Sequence, residues 1–216
     1  IGSLKAKLNV RGSELMEDVA RELGVKYKRV GSLVVGFSDS DKAILENLLE
    51  RGIANGVKDL RLLNKEELHE IEPNLSDEAT SALLAPTGAI ICPYGLTIAA
   101  IGNAMDNGAD LRLNFEVASI EKKDGYYTIN SVEDKGDAYE ITSSDGQKIS
   151  ASKVINCAGL YSDKIASMVG DDTIKITPRR GEYILLDRDC GNFFSHTIFT
   201  VPTPLGKGIL MSPTAD

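Results

Sequence analysis

Tryptophan is absent, histidine occurs only at His69 and His196, and cysteine only at Cys92, Cys157 and Cys190. Two histidines cannot build an HExxH or clustered His/Cys site, which argues against a protein-ligated transition metal. Both read as surface or packing residues, with His196 the better site candidate because it adjoins an extended apolar run. Three cysteines, odd in number and far apart, make neither a disulfide framework nor a paired zinc knuckle, and a reducing cytosol fits them best. No apolar run approaches the roughly 18 residues of a membrane span, and the N-terminus lacks the order of a signal peptide. Basic residues are outnumbered, 24 Lys and Arg against 32 Asp and Glu, for a formal charge of −8. That balance argues against general nucleic-acid binding and leaves room for a local basic pocket. Also missing are GxGxxG, a Walker A sequence and a GxSxG elbow; Gly206, Lys207 and Gly208 begin the first, but Met211 stands where its third glycine belongs.

What is present is an ordinary globular composition: 216 residues, 42% hydrophobic and 26% charged, with apolar residues spread along the whole length. This length allows one large domain or two lobes, and burial of roughly 70% of the unfolded surface. The chain opens at Ile1 without a Met and stops at Asp216 after a strand-like run, so it reads as an excerpt of a longer polypeptide.

The spacing predicts a helix over Ser3 to Leu23, closed by Gly24, then a strand over Tyr27 to Phe37. A second amphipathic helix follows the cap-like Ser38, Asp39 and Ser40 and ends near Asn55 and Gly56; a third starts at Asn64 with Glu67 in the capping-box position and stops before Pro73. Residues 81 to 91 are two extended pieces around a Pro86, Thr87, Gly88 turn, and Pro93 to Gly95 open a helix that ends before Gly108. Strands are expected at Leu111 to Leu113, Val117 to Ile120, Tyr126 to Ile129, Tyr139 to Thr142 and Lys148 to Ala151, with hairpin turns at Asp124, Gly125 and Asp145, Gly146, as an antiparallel meander. Lys153 to Cys157 reads as a buried parallel strand that turns at Ala158 and Gly159 into a helix over Tyr161 to Val169. From Ile174 onward the pattern is antiparallel sheet, with strands Tyr183 to Leu186, Thr197 to Val201 and Gly208 to Met211. The acidic groups Glu66, Glu67, Glu70, Glu72, Asp77 and Glu78 read as solvated helix faces.

The strongest chemical signal is Asn156 to Asp163, NCAGLYSD. Small residues at Ala158 and Gly159 let a phosphate or ring approach the backbone, and a helix start offers free N–H groups to an anion. A plain strand-to-helix turn is the alternative. Arg179 and Arg180 beside Gly181 stand out in an acidic chain, since a guanidinium can hold a carboxylate or phosphate by two parallel bonds. The alternative for Arg180 is a salt bridge to Glu182 or a nearby Asp. Lys175 and Lys207 read as solvated residues of strand edges.

NCAGLYSD resembles the N-A-A-G-x-[WY]-[SA]-D segment of the D-amino-acid oxidase superfamily of FAD-dependent oxidoreductases. Ser3 to Leu8 (SLKAKL), Cys92 to Thr97 (CPYGLT), Asn114 to Val117 (NFEV), Thr177 to Tyr183 (TPRRGEY) and His196 to Pro202 (HTIFTVP) resemble, in order, segments of its glycerol-3-phosphate dehydrogenase-like and L-2-hydroxyglutarate oxidase-like branch. Cys157 replaces the usual Ala. The resemblance implies a fold of class α/β and α+β, with a partial FAD/NAD(P)-binding-like lobe (1–24 and 92–172) and an antiparallel-sheet substrate lobe (25–91 and 173–216), both discontinuous and truncated. It implies FAD in the full-length parent, contacted by the Val117 backbone, by Ala158 and Gly159, and by a turn that Asp163 holds. Arg180 and Tyr183 are the implied substrate-binding residues.

The implied parent is an FAD-dependent dehydrogenase or oxidase of glycerol 3-phosphate or a small 2-hydroxy acid, in which the alcohol carbon gives hydride to flavin N5 while a base takes the hydroxyl proton. No residue here carries a motif for that base. Family members begin with a βαβ unit bearing GxGxxG and end with a Gly-Arg-Pro region. This chain has neither, so it is expected to be colourless and inactive alone and to need the N- and C-terminal parts of the same polypeptide as partners. The expected setting is cytoplasmic, with peripheral membrane attachment through other regions left open. The rival readings are a noncatalytic anion- or partner-binding module and, among enzymes, a glycine- or sarcosine-type amine oxidase.

Overall fold

The computed structural model describes residues 1–123, 126–129, 132–135, 138–191, 193–203 and 208–215, without the side chains of 126–129, 132–135 and 188. In chain order the elements are α1 (Leu4–Glu22), β1 (Tyr27–Lys28), β2 (Ser32–Gly36), α2 (Asp39–Ala54), β3 (Arg61–Leu63), α3 (Lys65–Ile71), β4 (Ser81–Ala85), β5 (Ile90–Ile91) and α4 (Pro93–Asp106). Then come β6 (Val117–Lys123), β7 (Tyr126–Ile129), β8 (Val132–Lys135), β9 (Ala138–Ser143), β10 (Lys148–Ala151), α5 (Ser162–Ser167), β11 (Thr197–Thr200) and β12 (Leu210–Met211).

The helices start where local chemistry says they should. Ser3 accepts from the Ala6 amide, Ser38 and Asp41 form a reciprocal capping box, and Asn64 and Glu67 form another. Cys92 takes this place for α4, its sulfur accepting from the Gly95 amide, with Pro93 as the first helical residue.

The chain divides into two units, Ile1–Ala109 with Leu185–Asp216, and Asp110–Ile184. The first is built on a five-stranded sheet in the order β12-β11-β2-β4-β3. Its pairs are antiparallel except β11 with β2, which run parallel with Ile198 beside Leu33. Strand alternation sends Leu33, Val35, Ala82, Leu84 and Ile198 to one face, where they bury with Leu68 of α3. Leu83 and Val201 point the other way and bury with Leu45 of α2. One layer of sheet is thereby held between two helices. The second unit carries the three-stranded sheet β10-β9-β6 and the ribbon of β7 with β8.

Several expectations are corrected. Tyr27 to Phe37 is two strands: β1 pairs with β5, and β2 enters the large sheet after Gly31, whose φ of 71° breaks the run. Leu111 to Leu113 forms no strand. Strand β6 pairs with β9, while β7 pairs with β8, so the meander order differs from the one expected. The turn assigned to Asp124 and Gly125 lies outside the described residues, as does Lys207. Lys153 to Cys157 and Tyr183 to Leu186 have no ladder partner among the described residues and are exposed, Ile155 at 86% and Tyr183 at 88%. Apolar, β-compatible residues are insufficient for a strand when no neighbouring strand supplies the hydrogen bonds. The helix expected over Tyr161 to Val169 is a 3₁₀ turn, Gly159–Tyr161, and the six residues of α5. The C-terminal strands are not purely antiparallel, given β11 on β2, and only Leu210–Met211 of the last one pairs.

Candidate functional site

The corner at residues 156–163 is fastened by its own side chains. Asn156 Oδ1 accepts from the Ala158 amide at 3.2 Å, and its Nδ2 donates to the Ser162 carbonyl at 2.8 Å. The amide of Tyr161 donates to the Ala158 carbonyl, which closes the 3₁₀ turn. Gly159 sits at φ 57°, in the left-handed region that costs a side-chain-bearing residue about 1–2 kcal/mol. A Cβ at that position would meet nothing within 4 Å. The glycine is therefore required by backbone conformation, and the space before it is open.

Asp163 reaches both ways from the first turn of α5. Its Oδ1 accepts from the Lys164 amide at 2.8 Å, and its Oδ2 accepts from the Ile176 amide at 3.1 Å, tying the corner to the segment that leads to Arg180. Lys164 stands over the Tyr161 ring, 5.0 Å from its centre.

Val117 opens β6 opposite Ser143, and a bulge follows it at once, leaving Ala118 out of the register with β9. Such a bulge bends the strand and frees backbone groups for another partner. Arg180 and Tyr183 lie on the unpaired stretch after Ile176. Arg180 is 87% exposed and its Nη2 stands 3.5 Å from Glu182 Oε1, the pairing given above as the alternative to anion binding. An exposed pair of this kind is screened and weak, so it does not withhold the guanidinium from a competing anion.

Four of the six site candidates, Ala158, Gly159, Asp163 and Arg180, thus lie on one stretch of chain pinned by Asp163; Tyr183 follows Arg180, and Val117 stands apart on β6. None lines the cleft of about 180 Å³ formed by Asn9, Val10, Ser13, Gly56, Val57 and Thr87. At its rim Lys58 Nζ bonds Glu14 Oε1 at 3.0 Å, which holds the Glu14 carboxyl below its usual range.

One expectation about charge fails outright. Glu72 does not lie on a solvated face; it is 1% exposed and bonded to the backbone and ring at His196. No short-range signal marks it: Glu72 is the C-cap of α3 in an acidic stretch, and the donors that face it lie more than 120 positions along the chain. His69 is a packing residue, its ring nitrogens facing the Lys65 and Ser76 carbonyls. Among the described residues no cluster of His, Cys, Asp or Glu could hold a metal ion, and no helix is long and apolar enough to cross a membrane.

The FAD dependent oxidoreductase family model matches residues 2–216. A glycerol 3-phosphate dehydrogenase of Caloramator mitchellensis is 46% identical over 213 residues, 99% of this chain and 42% of the relative. An L-2-hydroxyglutarate dehydrogenase of Nematostella vectensis is 33% identical over 94% of this chain and 44% of its own length. Among solved structures, the L-alpha-glycerophosphate oxidase of Mycoplasma pneumoniae with FAD bound superposes with a TM-score of 0.77 at 26% identity, covering 100% of this chain and 54% of that one. The chain therefore spans about half the length of the relatives it matches. Its mixed helix and sheet architecture is the one those flavoproteins share. With a family match across essentially every residue and the open corner at Gly159, this chain belongs to the FAD-dependent oxidoreductases of the D-amino-acid oxidase family.

Proposed function

We propose that this chain is an interior portion of an FAD-dependent dehydrogenase or oxidase acting on glycerol 3-phosphate or a small 2-hydroxy acid. The observation that carries the reading is the 46% identity to a glycerol 3-phosphate dehydrogenase over 99% of the chain. The residues present fit the cofactor. Gly159 leaves open space and Ala158 adds only a methyl group, so a ring or phosphate can approach the backbone there, and the bulge after Val117 leaves backbone groups for a polar edge. Asp163 holds the corner in shape through its bonds to Lys164 and Ile176. Bound there, the flavin would supply the two-electron acceptor for oxidation of the substrate's alcohol carbon.

The chain's own part is positioning. The Arg180 guanidinium grips the anionic end of the substrate by two parallel bonds and Tyr183 adds a hydroxyl, so that the reacting carbon is presented in one orientation. Such placement is worth several kcal/mol of a barrier. The lobes of the assembled flavoprotein are proposed as 1–24 with 92–172 on the cofactor and 25–91 with 173–216 on the substrate.

The test is a substrate screen on the full-length polypeptide that carries this chain. Anaerobic addition of glycerol 3-phosphate or L-2-hydroxyglutarate is expected to bleach its flavin absorbance. Bleaching by glycine or sarcosine alone would move the reading to amine oxidation, and a full-length protein without flavin would leave a binding module.

A further inference from the structure

Glu72 is a fully buried carboxylate that plays no part in the site described above. It caps the C-terminus of α3 just before Pro73, and it is 1% exposed. Withdrawing a carboxylate from water is unfavourable unless charge-assisted hydrogen bonds replace the lost hydration. Glu72 Oε1 accepts three: from the Ser195 amide at 2.8 Å, the His196 amide at 2.7 Å and His196 Nδ1 at 2.7 Å. All three donors belong to the residues just before β11, more than 120 positions along the chain. Fixing Nδ1 as the donor sets the tautomer and the ring plane of His196.

The ring in turn occupies space that exists only because residue 31 is glycine. A Cβ on Gly31 would stand 2.9 Å from His196 Cδ2. Gly31 also donates its amide to the Gly88 carbonyl at 2.8 Å and accepts the Thr197 amide at 3.1 Å. The C-terminus of α3, the segment before β2, the turn after β4 and the start of β11 therefore meet at one point. Strand β11 lies parallel to β2, so no hairpin fixes their register, and a slip of one residue would turn Ile198 out of the core.

We propose that Glu72 and His196 form a latch that sets the register of β11 on β2, and through it positions the β11–β12 pair that carries the substrate-lobe segment His196 to Pro202. The second half of this statement rests on the proposed flavoenzyme reading; the first does not. His196 is a positioning residue, held by Glu72 and by the shape of Gly31.

The experiment uses the full-length flavoprotein with Glu72→Gln, His196→Ala and His196→Asn, the last keeping an N–H donor near the position of Nδ1. Hydrogen exchange at the Thr197 and Val201 amides, which bond to the Gly31 and Val35 carbonyls, reports the register. Exchange there is expected to accelerate roughly tenfold or more in Glu72→Gln and His196→Ala relative to Leu83 in the neighbouring strand, and to return toward wild type in His196→Asn. Substrate KM should rise in the two opened variants and recover in His196→Asn. Uniform acceleration across β4 and β11, or His196→Asn behaving as His196→Ala, would overturn the latch. Selective acceleration with unchanged KM would keep the latch and overturn its link to the substrate. Should Glu72→Gln fail to fold, the two His196 variants still decide.

Discussion

At the scale of single residues, the same side-chain chemistry acts differently according to what surrounds it. Arg180 and Glu182 form an exposed pair 3.5 Å apart, whereas Glu72 and His196 form a pair that is closed off from water on the carboxylate side. The first is available to a ligand and the second is committed to the fold. For Arg180 the expected outcome of Arg180→Lys in the full-length enzyme is a KM for the anionic substrate raised about tenfold, equivalent to about 1.4 kcal/mol, with kcat within a few fold. Steady-state kinetics checks this, and an unchanged KM would return Arg180 to a surface role beside Glu182. Sequence singled out Arg180 because an arginine pair is conspicuous in an acidic chain. It could not single out Glu72, since an acidic residue in an acidic helix looks solvated until the donors facing it are known.

At the scale of elements, what was legible is what short-range bonds decide. The capping box of α3 and that of α2 are each closed within three residues; α3 starts after Asn64 as expected, and α2 starts within the cap-like Ser38 to Ser40, at Asp39. The hairpin between β9 and β10 is of the same kind: Gly146 donates to the Ser143 carbonyl at 3.0 Å and adopts φ 88°. Asp145 braces this turn. Its carboxyl is held below the usual aspartate range, first by the Ser143 hydroxyl, then by the Gln147 side chain and backbone amide. A carboxyl whose pKa is lower folded than unfolded adds stability above the unfolded value and loses it as the pH falls through the folded one. Asp145→Asn is therefore expected to lower the hairpin's resistance to denaturant at neutral pH, with the gap from wild type closing only as the pH falls below the ordinary aspartate range. Denaturation of the two proteins across that range checks the sign; a gap that widens in acid would contradict it. Elements that need a distant partner were not legible. Lys153 to Cys157 and Tyr183 to Leu186 have strand-forming residues and, among the described residues, no strand paired with them, and β11 found β2, a neighbour that no local pattern names.

At the scale of the whole molecule, exposed apolar side chains recur beside the proposed cofactor and substrate residues and on α4. Ile155, Leu160, Tyr161 and the run Tyr183 to Leu186 are all exposed, as are Tyr94 and Ile98 on α4. Such side chains are open to a hydrophobic dye unless another group covers them. The sequence also lacks the GxGxxG turn that holds a dinucleotide pyrophosphate. The 216-residue chain purified alone is therefore expected to show no flavin absorbance and to bind a hydrophobic dye, while the full-length protein is yellow and binds little dye. A stoichiometric flavin band in the short chain would contradict this.

The sequence by itself determined the capping boxes, the glycine turns, the extended pieces that become β2 and β4, and the bonds of Asn156 that fasten the NCAGLYSD corner. These follow from sterics and hydrogen bonds that a short peptide already contains. Only the tertiary structure decided that Glu72 is buried, that His196 fills the space at Gly31, and that β11 runs parallel to β2. Each of those depends on groups more than a hundred positions apart, where the free energy comes from excluding water between them and no local preference anticipates the partner.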